Sequence, residues 1–185
     1  ILEIGCGWGG FIKYVEKNIG SNVNGITLSK EQFEYINNLT LNGSTVQLKD
    51  YRNIKKKFDR IVSIEMFEAV GKKNWGVYFN KLKECITDKG KIILQIITIS
   101  EENYTYYSRR KDFIQKYVFP GGMLPTKSLL KNLAKNNNLT FKEHLSFGKD
   151  YAKTLFIWRK NFLLNWSKIK KLGYDENFKR LWEYY

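Results

Sequence analysis

The run Glu3-Ile4-Gly5-Cys6-Gly7-Trp8-Gly9-Gly10 is where residue types and spacing first suggest chemistry. Glycines let the backbone come close to a ligand, and a helix starting directly after them offers unpaired N–H groups. A nucleotide-like cofactor is implied; the plainer alternative is a strand-to-helix turn in which glycine only eases packing. Taken as G-x-G-x-x-G, with Gly5, Gly7 and Gly10, the run fits a dinucleotide site. That fingerprint also needs an acid about 20 residues on to hold the ribose, and Gly25-Ile26-Thr27-Leu28 stands there instead. Cys6 and Cys85 are too few for a disulfide framework and read as small apolar fillers in a reducing compartment. His144, the only histidine, reads as structural. No cluster has metal-ligand spacing, so zinc and two-metal chemistry are not expected.

These residues need a scaffold, and the hydrophobic pattern supplies one. Ile1 to Ile4 reads as a strand, Phe11, Ile12, Tyr14 and Val15 as a helix, and Val23 to Leu28 as a second strand. Ser29 with Gln32 has the spacing of a capping box, opening a helix through Phe33, Ile36 and Leu39. Strands follow at Thr45 to Leu48, Phe58 to Ile64 and Lys91 to Ile99, with helical spacing at Trp75, Tyr78, Phe79, Leu82 and Ile86. Such alternation predicts an α/β fold: an open, mostly parallel sheet with helices on both faces. From about 100 to 125 the pattern stops in a polar, aromatic insertion after the fifth strand, and a structureless stretch of that length is usually functional. Beyond it, Leu129 to Asn136 looks helical and Leu139 to Phe147 extended. Tyr151, Leu155, Trp158, Phe162, Trp166 and Ile169 lie on one stripe of a long amphipathic helix, and Phe178 to Tyr185 start another.

The 185 residues, 43% hydrophobic and 16% aromatic, suffice for one domain with a substantial core, which excludes disorder. No apolar run reaches the roughly 20 residues of a membrane span. Ile1 is not a methionine and opens directly on a strand, so the chain is expected to be a fragment of a single domain spanning 1–185, without its N-terminal part and C-terminal tail.

Taken instead as E-x-G-x-G-x-G, with Glu3, Gly5, Gly7 and Gly9, the glycine run looks like the first motif of S-adenosylmethionine-dependent methyltransferases. An ordered set of segments across the chain resembles one family more specifically. These are Leu2 to Gly10, Gly25 to Gln32, Asp50-Tyr51-Arg52, Phe58 to Gly71, Lys116 to Gly122 and Asp150 to Leu155. Together they are similar to the cyclopropane-fatty-acyl-phospholipid synthases and the mycolic acid cyclopropane synthases. That resemblance implies the class I methyltransferase fold, a Rossmann-like sheet.

It also implies that Leu2, Glu3, Gly5, Cys6, Gly7, Trp8, Gly9 and Gly10 wrap the methionine and ribose of S-adenosylmethionine. Thr27, Leu28, Ser29 and Gln32 would meet its ribose and adenosine side, and Tyr51 and Arg52 would flank the adenine. Alone, Tyr51 and Arg52 read equally as a packing aromatic and a surface cation. In that family a cis double bond attacks the sulfonium methyl, leaving a carbocation; bound bicarbonate then removes a proton so that a cyclopropane ring closes. Glu68 and Tyr151 match its bicarbonate ligands, and the main-chain donor falls at Ile97. Gln95 stands where many members have a histidine; a neutral amide donates a hydrogen bond but relays no proton. This departure keeps a methylene- or methyl-branched product open, and also a lipid-binding module without catalysis.

With 32 basic against 18 acidic residues the net charge is +14. That excess suits an anionic membrane or a nucleic acid equally. The resemblance favours unsaturated phospholipid acyl chains at the inner face of the cell membrane, with a cytoplasmic, peripheral protein, a homodimer being compatible, and no nucleic acid expected. Arg109-Arg110-Lys111, beside Tyr104 to Tyr107, is the segment expected at the bilayer. A small-amine or nucleic-acid methyltransferase is the rival.

Overall fold

β1 (Leu2–Ile4) is three residues long and wholly buried. The computed structural model, which describes residues 1–185, builds the sheet outward from it. β2 (Asn24–Thr27) and β4 (Phe58–Ile64) flank β1, with β3 (Thr45–Leu48) outside β2 and β5 (Ile86–Gln95) outside β4. The order β3-β2-β1-β4-β5 is parallel at every pairing. Parallel neighbours need crossovers, and α1 (Gly10–Ile19), α2 (Lys30–Asn37) and α4 (Trp75–Cys85) supply them. The chain winds outward from β1 to β3, then returns to begin again at β4. In such a sheet the ligand crevice opens outside the carboxyl ends of the strands, where the winding reverses.

Two apolar clusters fit a sheet covered on both faces. One gathers Ile12 and Val15 of α1 and Ile36 of α2 with Val23 and Val46. The other packs Leu2, Ile4 and Ile61 against Tyr78, Phe79 and Leu82 of α4 and Leu130 and Ala134 of α6 (Lys127–Asn136). Phe67 anchors the single turn α3 (Phe67–Val70), its ring 5.4 Å from both Trp75 and Tyr78. That burial holds the β4 to α3 connection in place over the sheet.

Several expectations need correction. β5 ends at Gln95, not Ile99, because its partner has run out: Ile64 pairs with Gln95, and one further bond, from Glu65 N–H to the Gln95 carbonyl, closes the ladder. The insertion after β5 is not structureless. It holds α5 (Glu101–Tyr107) and a π-helical turn at Ile114–Val118. Buried Gln115 ties that turn down, donating to the Gly122 carbonyl at 2.9 Å, and the Tyr107 hydroxyl accepts from Leu124 N–H at 3.1 Å. The stretch from Leu139 to Phe147 joins no strand ladder, and 141–147 are exposed.

By contacts the chain divides into two compact units, Ile1–Phe141 and Lys142–Tyr185. The second consists of α7 (Gly148–Leu164), α8 (Trp166–Lys171) and α9 (Glu176–Tyr184). The expected single long helix breaks at Asn165, whose side-chain amide turns back onto the Asn161 carbonyl at 2.9 Å. Phe162, Trp166 and Phe178 pack together across that break, and Arg159 pairs with Glu183 at 3.0 Å. No helix is long and apolar enough to cross a membrane.

Candidate active site

Each strand of the sheet delivers polar residues at its carboxyl end. After β1 the chain curls through Gly5, Gly7 and Gly9, whose φ angles of 81°, 53° and 80° suit glycine. At Gly5 space adds a second requirement, since a Cβ would lie 2.7 Å from Met66 Cγ. The N–H groups of Gly5 and Cys6 both donate to the Ile26 carbonyl at 3.0 Å, fastening the loop to β2. Leu2 and Cys6 are buried beneath it, and Trp8 stands largely exposed, edge-on to Tyr35 at 5.3 Å. Burial and the nearby Glu3 push the Cys6 thiol up to about 11, so it stays protonated and is no nucleophile.

Glu3 is the unusual residue of this half. It is only 3% exposed, its Oε2 is buried with no hydrogen-bond partner, and burial raises its pKa to about 7. A carboxylate in that condition needs a cation or a donor.

At the end of β2, the Thr27 hydroxyl donates to Gln32 Oε1 at 2.7 Å and accepts from Ser29 N–H at 3.1 Å. The Ser29 hydroxyl caps α2, accepting from Gln32 N–H at 3.2 Å. The capping box is therefore only half formed, because the Gln32 side chain turns to Thr27 instead of back to Ser29. Leu28 is exposed beside them. After β3 a short turn, Tyr51–Asn53, is capped by Asp50. Tyr51 packs edge-on to Tyr78 at 5.1 Å, and Arg52 grips Asp50 through two hydrogen bonds of 3.0 and 2.7 Å. The guanidinium holds the Asp50 carboxyl below its ordinary range. The ring and the cation are thus both positioned by internal partners.

The loops after β4 and β5 form the second half. Glu68, on the single turn α3, accepts from Ile97 N–H at 2.5 Å through Oε1, while its Oε2 is buried without a partner. Burial raises the Glu68 pKa, the Ile97 amide opposes that, and the charge of Glu65 adds to it. The Glu68 carbonyl also accepts from Met123 N–H at 2.9 Å, so the insertion is tied to this residue. Gln95 donates from Nε2 to Glu65 Oε1 at 2.8 Å. Glu68, Gln95 and Ile97 therefore meet at the ends of two adjacent strands. Glu65 was not a candidate from the sequence; the signal that marks it, a φ of 51° on a non-glycine residue, exists only in the folded backbone.

Tyr151 belongs to the second unit, in the first turns of α7. Its hydroxyl lies 3.2 Å from that of Tyr185 and its ring 6.4 Å from Trp158. His144 is exposed in the segment before that helix. Both cysteines are free and buried, and no group of three or more acidic, histidine or cysteine side chains could hold a metal ion.

The donor set suits a nucleoside sulfonium. The buried, unpartnered Glu3 offers negative charge under a loop of backbone amides, and Thr27 with Gln32 offers the neutral hydroxyl and amide that a ribose takes. Glu68 Oε2, buried without a donor, has the chemistry to accept from a hydroxyl such as that of bicarbonate, with the Ile97 N–H held on Oε1 and the Gln95 amide on Glu65 at the end of the next strand.

A family model described as mycolic acid cyclopropane synthetase matches residues 1–185. The cyclopropane-fatty-acyl-phospholipid synthase of Escherichia coli (strain K12) is 36% identical over 191 residues, covering 100% of this chain and 47% of that protein. The tuberculostearic acid methyltransferase UfaA1 of Mycobacterium tuberculosis is 33% identical over 191 residues, covering 100% of this chain and 44% of that one. The chain thus spans about half the length of these curated relatives. A crystal structure of mycolic acid cyclopropane synthase CmaA1 complexed with SAH and CTAB superposes with a TM-score of 0.88 at 29% identity, covering 99% of this chain and 69% of that one. The sheet and its helices are those of a class I methyltransferase.

Proposed function

The chain belongs to the mycolic acid cyclopropane synthetase family, and on that footing we propose that the protein transfers a one-carbon unit from S-adenosylmethionine to the cis double bond of an unsaturated phospholipid acyl chain, closing a cyclopropane ring. The observation that carries this reading is the Glu68 carboxylate, tied by Oε1 to the Ile97 amide and left with a buried, partnerless Oε2.

Bound S-adenosylmethionine would supply an electrophilic methyl group, and bound bicarbonate the base that accepts a proton from the alkylated chain. The residues of this chain do the rest. Glu3 gives the cofactor's positive end a counter-charge, Thr27 and Gln32 exchange their mutual hydrogen bond for its ribose, and Tyr51 and Arg52 flank the adenine. Glu68 would accept a hydrogen bond from an ion's hydroxyl through Oε2 while keeping the Ile97 N–H on Oε1, and Gln95 would donate to the ion's oxygens. The insertion brings aromatic side chains that exclude water, which would otherwise trap a carbocation.

The reading is tested by expressing the full-length gene and analysing lipid extracts by mass spectrometry. Acyl chains heavier by one CH2 are expected; unchanged lipids accompanied by methylated RNA overturn it. A second product, a mid-chain methylene branch, has the same mass because it too forms by loss of one proton from the alkylated cation, and Gln95 in place of the histidine keeps it open. Proton NMR of the isolated fatty acids separates the two.

We further propose that the substrate is met at an anionic bilayer. Arg110 stacks on the exposed Tyr106 ring at 4.8 Å and donates to its hydroxyl at 3.1 Å, with Arg109 and Lys111 exposed beside it. Each cation near such a surface is worth about 1 kcal/mol. Replacing all three by glutamine is expected to weaken binding to anionic vesicles by about 100-fold at low salt, with the difference shrinking as salt rises. Unchanged vesicle partitioning in a sedimentation assay rules out this docking segment.

A further inference from the structure

Glu65 holds a conformation that its side chain disfavours. Only two non-glycine residues have positive φ, Glu65 at 51° and Asn138 at 52°. Asparagine tolerates that region, but glutamate seldom visits it. Such a residue persists where surrounding contacts over-determine it, and these positions gather at functional sites. Here the surrounding contacts are two hydrogen bonds to one residue. Glu65 N–H donates to the Gln95 carbonyl at 2.9 Å, and Glu65 Oε1 accepts from Gln95 Nε2 at 2.8 Å.

We propose that Glu65 is a positioning residue that fixes which way the Gln95 carboxamide faces. An amide presents an oxygen at one corner and an NH2 at the other, and rotation by half a turn exchanges them. A carboxylate has only acceptors. Beside Glu65 the nitrogen corner must therefore face the carboxylate, since the reversed amide would set two acceptors against each other. One hydrogen of that NH2 serves Glu65, and the second remains for an anion at the ends of β4 and β5. Without Glu65, Gln95 could turn its carbonyl to that anion and repel it. Glu65 thus supplies what an amide in place of an imidazole lacks, a fixed donor. This inference rests on the assignment of Glu68, Gln95 and Ile97 to an anion site, and it goes further by explaining why a charged residue occupies a strained position there.

The test uses the full-length protein and isotope-labelled bicarbonate followed by NMR titration, with the lipid product measured separately. Glu65→Gln keeps size and hydrogen-bonding capacity but lets the amide pair form in either orientation; bicarbonate affinity is expected to fall by about tenfold, the size of one hydrogen bond to a charged group. Glu65→Gly is expected to show the same loss with a thermal midpoint no lower than that of the parent, because glycine is at ease at this φ. In a Gln95→Ala background Glu65→Gln should change nothing further. Unchanged bicarbonate affinity in Glu65→Gln overturns the proposal, as does an undiminished effect in the Gln95→Ala background or a parent protein that binds no bicarbonate. If bicarbonate affinity responds as expected while no lipid is alkylated, the substrate reading fails and the role of Glu65 stands. If lipids are alkylated and the Glu65 variants behave like the parent, the reverse holds.

Discussion

Glu68→Gln is expected to lower turnover by at least about 100-fold, the usual weight of a group that manages a proton in the reaction, while S-adenosylmethionine still binds. The amide keeps an oxygen for the Ile97 N–H, so the local hydrogen bond survives. What is lost is the second acceptor: Oε2 becomes an NH2, which offers hydrogens where an incoming hydroxyl needs a lone pair. Affinity for the cofactor should not follow, because the glycine loop and Glu3 lie on a different strand end. Isothermal titration with S-adenosylmethionine and single-turnover kinetics on unsaturated vesicles separate the two quantities. Near-parental turnover removes Glu68 from the chemistry, and a parallel loss of cofactor binding makes it structural.

Glu3→Gln is expected to move stability and cofactor affinity in opposite directions. The folded protein holds Glu3 at a pKa of about 7, against 4.5 for the unperturbed group. Between those values the folded state binds the extra proton, so the stability that the protonated acid contributes is fully present below about 4.5 and is lost as pH rises through about 7. At pH ~8 the ligand-free protein therefore carries a penalty of order 3 kcal/mol for ionising a buried acid. Glutamine is never charged and escapes it. Thermal denaturation followed across pH should show Glu3→Gln gaining on the parent as pH rises and matching it in acid. S-adenosylmethionine should bind the variant at least about tenfold more weakly, having lost its counter-charge. A variant less stable than the parent in mild alkali, or one with unaltered cofactor affinity, contradicts the assignment of Glu3.

Much of this was legible from residue order. The glycine run announces the loop because only glycine takes three positive φ angles in so short a stretch, and Phe58 to Ile64 announces a strand through its β-branched residues, although only Ile61, Val62 and Ser63 of it are buried. Other features were hidden because long-range partners decide them. Ile92 to Ile99 is apolar except at Gln95 and Thr98, yet the strand stops at Gln95, where β4 has no more backbone to offer. The insertion has no apolar period, and its helix and π-turn persist through Gln115 and Tyr107 reaching back to the segment's own backbone. Gln32 has capping-box spacing, but Thr27 competes successfully for its side chain.

The sequence by itself determined the alternation of strand and helix and the glycine loop, because these depend on local spacing, while Glu68, Gln95 and Ile97 were singled out by the resemblance to the cyclopropane synthases. Only the tertiary structure decided that Glu3 is a buried acid without a partner, that Glu68 takes the Ile97 amide, and that Glu65 bends into a left-handed turn to hold Gln95. Burial and hydrogen-bond pairing are properties of residues far apart in the chain, and they come into being when β1, β4 and β5 align in register and bring their ends together.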